Sequence, residues 1–178
     1  VKAYAAGEPL EASVYPYPIA FNVLPHIDVF REDGYTKEEW KVTVETRKIL
    51  HLPELPVSCT AVRVPVITSH SEAVHVELEG SMGPDEAREL FAGVPGVIVR
   101  DDPANDVYPL ATEGAGRDEV YVGRIRADAS LPEGKGLAFW VVSDNLRKGA
   151  ATNAVEIAEI IERNDWLAKA SERVAGTA

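Results

Sequence analysis

Three observations on this 178-residue sequence predict an α+β fold: a mixed, largely antiparallel sheet with helices on one face. Segments with the two-residue alternation of strands interleave with segments of three- and four-residue periodicity. Their order lacks the regular βαβ alternation of a wholly parallel sheet. The length falls within the range of one domain, and such a chain buries roughly 68–70% of its unfolded surface without a disulfide or metal staple. Residues 1–178 are accordingly read as a single domain.

Residues 12–24 (ASVYPYPIAFNVL) are apolar, but Pro16 and Pro18 exclude a central strand, so an extended, edge-type segment is expected. Thr36 with Glu39 three positions later forms a capping box, and KEEWKVTVETRKIL reads as a helix over 37–50, ended by Pro53 and Pro56. Residues 57–67 (VSCTAVRVPVI) are rich in β-branched side chains and read as a strand that Pro65 pushes toward an edge or a bulge. A polar break, 68–71, precedes EAVHVELE, where Val74, Val76 and Leu78 alternate with charged or histidine positions as in a half-buried strand. Pro84 and Gly93 bracket a short helix.

GVIVR (96–100), EVYVGRIR (119–126) and GLAFWVV (136–142) read as strands, the last two separated by a turn at 132–134. Residues 101–118 form a long loop rich in Asp, Pro, Asn and Gly, of the kind that carries function or an interface. Residues 146–163 place Ala150, Ala154, Ile157, Ala158 and Ile161 at helical spacing, a helix with a small-residue face.

Composition excludes several classes of function. The chain is 46% hydrophobic and 26% charged, with 18 Lys and Arg against 29 Asp and Glu. The net charge of −11 disfavours nucleic acid or an anionic membrane as partner, since both repel that sign. One cysteine, Cys59, excludes a disulfide framework. No apolar run approaches the ~20 residues of a membrane span, and the expected location is cytoplasmic. The first residues carry neither an initiator Met nor a signal pattern, so the chain is expected to be a piece of a longer protein.

Few residues offer chemistry. His70 and His75 are five apart at a strand start, on opposite faces, and no histidine pair has helical ligand spacing, so no metal site is expected. Gly134 and Gly136 form G-x-G ahead of a strand rather than a helix, which cannot cradle a pyrophosphate. Arg63 reads either as an exposed strand arginine opposite Val62, Val64 and Val66 or as a guanidinium fork for a carboxylate. His70 reads as a solvated loop histidine or as a general base titrating near neutrality. Glu38 and Lys41 read as an i, i+3 surface pair or as two ligand-binding charges. Cys59 reads as core, with Arg63 its nearest basic neighbour in sequence.

PYPIAFNVLPHID (16–28), GYTKEEWKVTVETRKIL (34–50), AVRVPVITSHSEAV (61–74), EVYVGRIRAD (119–128) and DNLRKGAATNAVEIAEII (144–161) occur in that order. Together they resemble the C-terminal half of bacterial aspartate-semialdehyde dehydrogenase, over about residues 15–162. The resemblance implies the C-terminal domain fold of glyceraldehyde-phosphate-dehydrogenase-like enzymes. It implies reductive dephosphorylation of β-aspartyl phosphate to aspartate semialdehyde with NADP as cofactor, a step toward lysine, threonine and methionine.

By the same resemblance His70 is the acid/base, Arg63 holds the substrate α-carboxylate, Glu38 faces its amino group and Lys41 its phosphate. Asn145 lies near the nicotinamide. The family's nucleotide-binding half and its nucleophilic cysteine precede the region matched here, and Cys59 is not that nucleophile. The tail 164–178 lies beyond the match. A homodimer packed through the sheet is implied, and an inactive isolated chain. Two alternatives are a non-catalytic dimerisation module of the same fold and a domain of a related N-acyl-semialdehyde dehydrogenase. Arg63 and His70, seven residues apart in an unbroken strand, would be ~23 Å apart on opposite faces. A bend at Pro65 or within 68–71 is therefore expected, with Arg63, His70, Glu38 and Lys41 converging on one concavity.

Overall fold

The computed structural model describes residues 2–169. The chain forms two compact units, the first ending at Val66 and the second beginning at Ile67.

In the first unit a short helix α1 (Lys2–Ala5) and α2 (Lys37–Ile49) are joined by an irregular segment, and the extended run expected over 12–24 is instead broken by bends at 13–17 and a turn at 20–21. The capping box expected from Thr36 and Glu39 is formed. The Glu39 N–H donates to Thr36 Oγ1 at 3.3 Å, and the Thr36 N–H donates to Glu39 Oε2 at 2.7 Å. Glu38 and Glu39 in the first turn and Arg47 and Lys48 in the last complement the helix dipole. Arg47 Nε then donates to Leu55 O at 2.7 Å, which fastens the Pro53–Pro56 turn beneath the helix end.

The strand expected over 57–67 does not form. Its one β contact is an isolated antiparallel bridge, Leu24 to Arg63, with N–H donors in both directions at 2.9 and 2.8 Å. The neighbouring rungs are lost for separate reasons: Pro65 has no N–H to offer Asn22, and on the other side the Ala61 N–H goes to Glu39 Oε1 and the His26 N–H to Leu24 O. The side chains also invert the expected pattern. Val62, Val64 and Val66 are exposed and Arg63 is half-buried.

The second unit is built on a four-stranded mixed sheet in the order β1-β4-β3-β2. Strands β1 (His70–Glu77), β4 (Gly136–Ser143) and β3 (Val120–Ala127) pair antiparallel, and β2 (Val97–Val99) joins β3 in parallel. This is the mixed, largely antiparallel sheet that the sequence predicts. Helix α3 (Pro84–Ala92), with proline in its first turn, packs Ala87 onto Val122, Ile125 and Leu137. Val76, Phe91, Phe139 and Val141 complete that core, with the Phe91 and Phe139 rings edge-on at 5.3 Å.

A bulge between Gly123 and Arg126 interrupts the β3–β4 register. The backbone groups it frees at Ile125 are satisfied from outside the ladder. The Ile125 N–H donates to Asp101 Oδ2 at 3.2 Å, and Arg88 Nη2 on α3 donates to Ile125 O at 2.7 Å. Arg88 Nε also meets the fully buried Asp101 carboxylate at 2.6 Å, which clamps helix, bulge and loop together.

The long 101–118 segment carries a 3₁₀ turn (Pro103–Asn105) and a four-residue helix α4 (Ala111–Gly114). Helix α4 lies on the sheet face away from the α3 core, so close that a Cβ on Gly114 would sit 2.9 Å from Val142 Cγ1. The helix expected over 146–163 is divided: a π-helical turn (Arg147–Ala151) leads into α5 (Thr152–Arg163). No α5 residue is buried, so the small-residue face expected there stays uncovered among the described residues. No described helix is long and apolar enough to cross a membrane.

Candidate active-site residues

Three of the five site residues expected from sequence lie in the first unit. Helix α2 presents Glu38 and Lys41 one turn apart, and Lys41 Nζ donates to both Glu38 carboxylate oxygens at 3.1 Å. The Glu38 carboxylate raises the Lys41 pKa first through these hydrogen bonds and then through its charge. Lys41 therefore holds its proton more firmly, with the Glu38 carboxylate as its counter-ion.

Arg63 is in a different situation. Its guanidinium lies over the Tyr15 ring, 4.7 Å from the centroid, and among the described residues it has no carboxylate partner. It lines a cleft of about 370 Å³ with Tyr15, Leu24, Pro25, His26 and Phe30. A half-buried guanidinium with an aromatic face beneath it and its N–H fork unused is a ready carboxylate receptor.

The buried Glu39 holds these two regions of the unit together. Besides closing the capping box, its Oε1 accepts the Ala61 N–H at 2.9 Å, two residues before Arg63. Hydrogen bonds from the Thr36 and Ala61 backbones hold its carboxyl below the ordinary range. Cys59 Sγ lies 3.5 Å from Glu39 O, and burial, followed by the Glu39 and Glu38 charges, pushes its thiol pKa up. A thiol with those neighbours is a poor nucleophile, in line with the expectation that Cys59 is not the catalytic one.

His70 and Asn145 lie in the second unit. His70 is exposed at the first position of β1, opposite Ser143 at the end of β4. The bend expected before it is present: the chain bends at Pro65 and at 67–68, and Ser69 has φ +84°. The Ser69 N–H donates to Asn145 Oδ1 at 2.8 Å and its Oγ donates to Ala111 O at 3.0 Å. Asn145 is thus hydrogen-bonded to the residue next to His70.

Asp144, 3% exposed, shapes the turn that carries Asn145. Its Oδ2 accepts the Gly116 N–H at 2.7 Å, and its Oδ1 accepts from Leu146 and Arg147 at 2.8 and 3.0 Å. The Gly116 hydrogen bond is the largest cause of its lowered pKa. Farther along, Asp118 takes both arms of Arg147 at 2.9 and 2.6 Å and the Thr152 hydroxyl at 2.6 Å. Its carboxyl is lowered to about 2, chiefly by Arg147.

Sequence reasoning missed Tyr15, Glu39, Ser69 and Asp144 as partners of the site residues. The Thr36–Glu39 capping box was the one advance sign of Glu39, whereas its second bond, to Ala61, has no local signature. Among the described residues no group of three His, Cys, Asp or Glu is placed to hold a metal ion.

The second unit is thus an α+β unit with an open mixed sheet and a histidine at a strand start, and the first carries an arginine without a carboxylate partner among the described residues in a cleft. A family model described as semialdehyde dehydrogenase, dimerisation domain, matches residues 1–148, and the chain belongs to that family. It is 55% identical over 167 residues to an aspartate-semialdehyde dehydrogenase of Aquifex aeolicus, covering 93% of this chain and 48% of the relative. It is 44% identical over 156 residues to that of Bacillus subtilis, covering 87% and 44%. The chain therefore spans about half the length of the curated relatives it matches.

Among solved structures, aspartate semialdehyde dehydrogenase II of Vibrio cholerae superposes with a TM-score of 0.85 at 41% identity, over 91% of this chain and 47% of that one. The same Vibrio enzyme has been solved in complex with ASA.

Proposed function

We propose that this chain is the substrate-binding and dimerisation part of an NADP-dependent, cytoplasmic aspartate-semialdehyde dehydrogenase, acting on β-aspartyl phosphate. The observation that carries the reading is Arg63: a half-buried guanidinium over Tyr15, with no carboxylate partner among the described residues, in a cleft sized for a small molecule. The identity to the Aquifex enzyme across 93% of the chain supports it.

In this reading the Arg63 fork takes the α-carboxylate, Glu38 takes the ammonium group and Lys41 the phosphate. The zwitterionic acyl phosphate replaces both halves of the Glu38–Lys41 pair, so binding separates two charges that already neutralise one another. A nucleophilic thiol, supplied from outside this chain, attacks the acyl phosphate and expels phosphate, which Lys41 receives. His70 takes the thiol proton in that step, gives it to the carbonyl oxygen as the thioester is reduced to the hemithioacetal, and takes it back as the C–S bond breaks to release the aldehyde and the thiolate. Dividing acyl transfer in this way replaces one difficult step by two easier ones.

NADPH, when bound, would supply the hydride. The chain's fit to it is limited to one end: the Oδ1 of Asn145 is committed to Ser69, leaving its Nδ2 amide as a donor for the nicotinamide end. Gly136 opens β4 rather than a helix, so the G-x-G there offers no pyrophosphate cradle. The family's dimerisation description supports a homodimer, for which sedimentation at micromolar concentration gives the expected result and a monomer overturns it.

The isolated chain is expected to oxidise no NADPH with β-aspartyl phosphate, and joining it to a nucleotide-binding half carrying the thiol is expected to give turnover that His70→Ala abolishes. Turnover by the isolated chain, or a full-length enzyme indifferent to His70→Ala, overturns the assignment. A non-catalytic dimerisation module would have no use for an unpaired Arg63 in a cleft, and it predicts no loss from Arg63→Ala.

A further inference from the structure

We propose that Ser69 and Asn145 are positioning residues for His70: the bond from the Ser69 N–H to Asn145 Oδ1 sets the direction in which His70 leaves the sheet. This rests on the acid/base reading of His70, and it gives Asn145 a second role besides the one toward the cofactor.

Ser69 has φ +84°, a region where a residue with a Cβ is disfavoured and persists only when its surroundings hold it. Here they hold it at two polar groups, the N–H by Asn145 at 2.8 Å and the hydroxyl by Ala111 O at 3.0 Å. Each anchor is itself fixed. Asn145 follows Asp144, whose carboxylate accepts three backbone N–H groups, from Gly116, Leu146 and Arg147. Ala111 opens α4, which is seated on β4 where Gly114 meets Val142.

The register completes the picture. His70 pairs with Ser143 as the last rung of the β1–β4 ladder, and beyond that rung the two chains would separate. The Ser69–Asn145 bond is the contact that continues the association past the end of the ladder. Without it the reversal at Ser69 is free to relax, the terminal rung frays, and the imidazole loses its fixed origin. An acid/base group must lie within hydrogen-bonding reach of the atom it serves, so an error of ~1 Å at its backbone costs about a hundredfold in rate.

The test uses the full-length protein that carries this chain, with Asn145→Ala, Asn145→Asp, Ser69→Ala and His70→Ala. Asn145→Ala removes the acceptor; Asn145→Asp keeps an acceptor oxygen and removes the amide donor. In Asn145→Ala, kcat at its own pH optimum is expected to fall about tenfold or more while KM for β-aspartyl phosphate moves less than about threefold. Without cofactor, the Ser69 amide in that variant is expected to lose its hydrogen-exchange protection, and the His70 ring signals in NMR to broaden or shift. Asn145→Asp is expected to keep the Ser69 protection and most of kcat, with a raised KM for NADPH. Ser69→Ala loses the hydroxyl anchor at a strained φ and is expected to lower kcat about fivefold or more with the substrate KM held.

Unchanged Ser69 protection and unchanged kcat in Asn145→Ala overturn the proposal. So do equal losses in the two Asn145 variants confined to KM for NADPH, which leave Asn145 a cofactor contact alone. If Asn145→Ala does not fold, wild-type kinetics in Ser69→Ala overturn it. His70→Ala at wild-type rates overturns the acid/base reading beneath it, a result distinct from an inactive His70→Ala beside a normal Asn145→Ala.

Discussion

The buried carboxylate of Glu39 accepts the Ala61 N–H at 2.9 Å, joining the first turn of α2 to a segment 22 residues downstream. One side chain thereby relates the helix that bears Glu38 and Lys41 to the bridge residue Arg63. Glu39→Ala leaves the Thr36 and Ala61 N–H groups without that acceptor and removes half of the capping box. Such losses cost about 1–3 kcal/mol for a buried donor and about 1 kcal/mol for a cap. A loss of about 2–3 kcal/mol is expected in urea titration. Glu39→Gln, which still accepts one N–H but turns its NH₂ toward the other, should lie between. A Glu39→Ala protein of wild-type stability would show that the carboxylate is dispensable.

Arg63→Lys tests the receptor without changing charge. Lysine keeps the cation but loses the planar fork and its stacking on Tyr15. If the proposed role of Arg63 holds, KM for the acyl phosphate in the full-length protein is expected to rise about tenfold or more, with kcat less affected, because a bidentate carboxylate contact would become a point charge. Kinetics indistinguishable from wild type would mean that charge alone suffices at this position.

Gly123 is required by space. A Cβ there would sit 2.0 Å from Arg100 O and 2.6 Å from Pro109 Cδ, and a backbone carbonyl cannot rotate away as a side-chain tip can. Gly123→Ala is expected to lower stability by about 3 kcal/mol or more, the upper end of overpacking costs. Gly80→Ala, with nothing within 4 Å and an ordinary φ, is the control. It should fall within about 0.5 kcal/mol of wild type in thermal unfolding.

Acid should weaken the second unit. Asp118 is lowered from 3.8 to about 2, first by the Arg147 hydrogen bonds. The Gly116 N–H lowers Asp144, and Asp128 is held below the ordinary carboxylate range first by the His75 ring, 2.7 Å away. Each carboxyl binds its proton more readily in the unfolded chain. The stability it contributes is therefore complete above its unfolded value and is lost as pH falls through its folded one. Urea midpoints should change little from these groups between neutrality and about pH 5, then fall steeply from about pH 4 toward pH 2. Asp118→Asn should flatten part of that fall, and a midpoint that rose on acidification would contradict the assignment.

Local chemistry carried the legible part of the fold. The Thr36–Glu39 box marked the start of α2, Pro84 and Gly93 bracketed α3, and the alternation of Val74 and Val76 with His75 and Glu77 gave β1 its faces. Each depends on residues a few positions apart, so each is visible in one dimension. The strand expected over 57–67 failed for the complementary reason. Its β-branched side chains favour extended backbone, but a strand also needs a neighbour with free N–H groups; Pro65 has none to offer, and the Ala61 N–H is taken by Glu39, which limits the pairing to one bridge.

For the site, the sequence patterns singled out Glu38, Lys41, Arg63 and His70, the family resemblance added Asn145, and the break before His70 was anticipated. What holds those residues was decided only in three dimensions. The Arg63 guanidinium over Tyr15, the Glu39 bond to Ala61 and the Ser69 bond to Asn145 span 48, 22 and 76 positions. No spacing rule reaches that far, because such pairs form where the folded backbone leaves a donor and an acceptor facing each other. The reversed backbone at Ser69 belongs with them: a serine does not advertise a positive φ, and this one is held by Asn145 and Ala111, partners supplied by the tertiary structure.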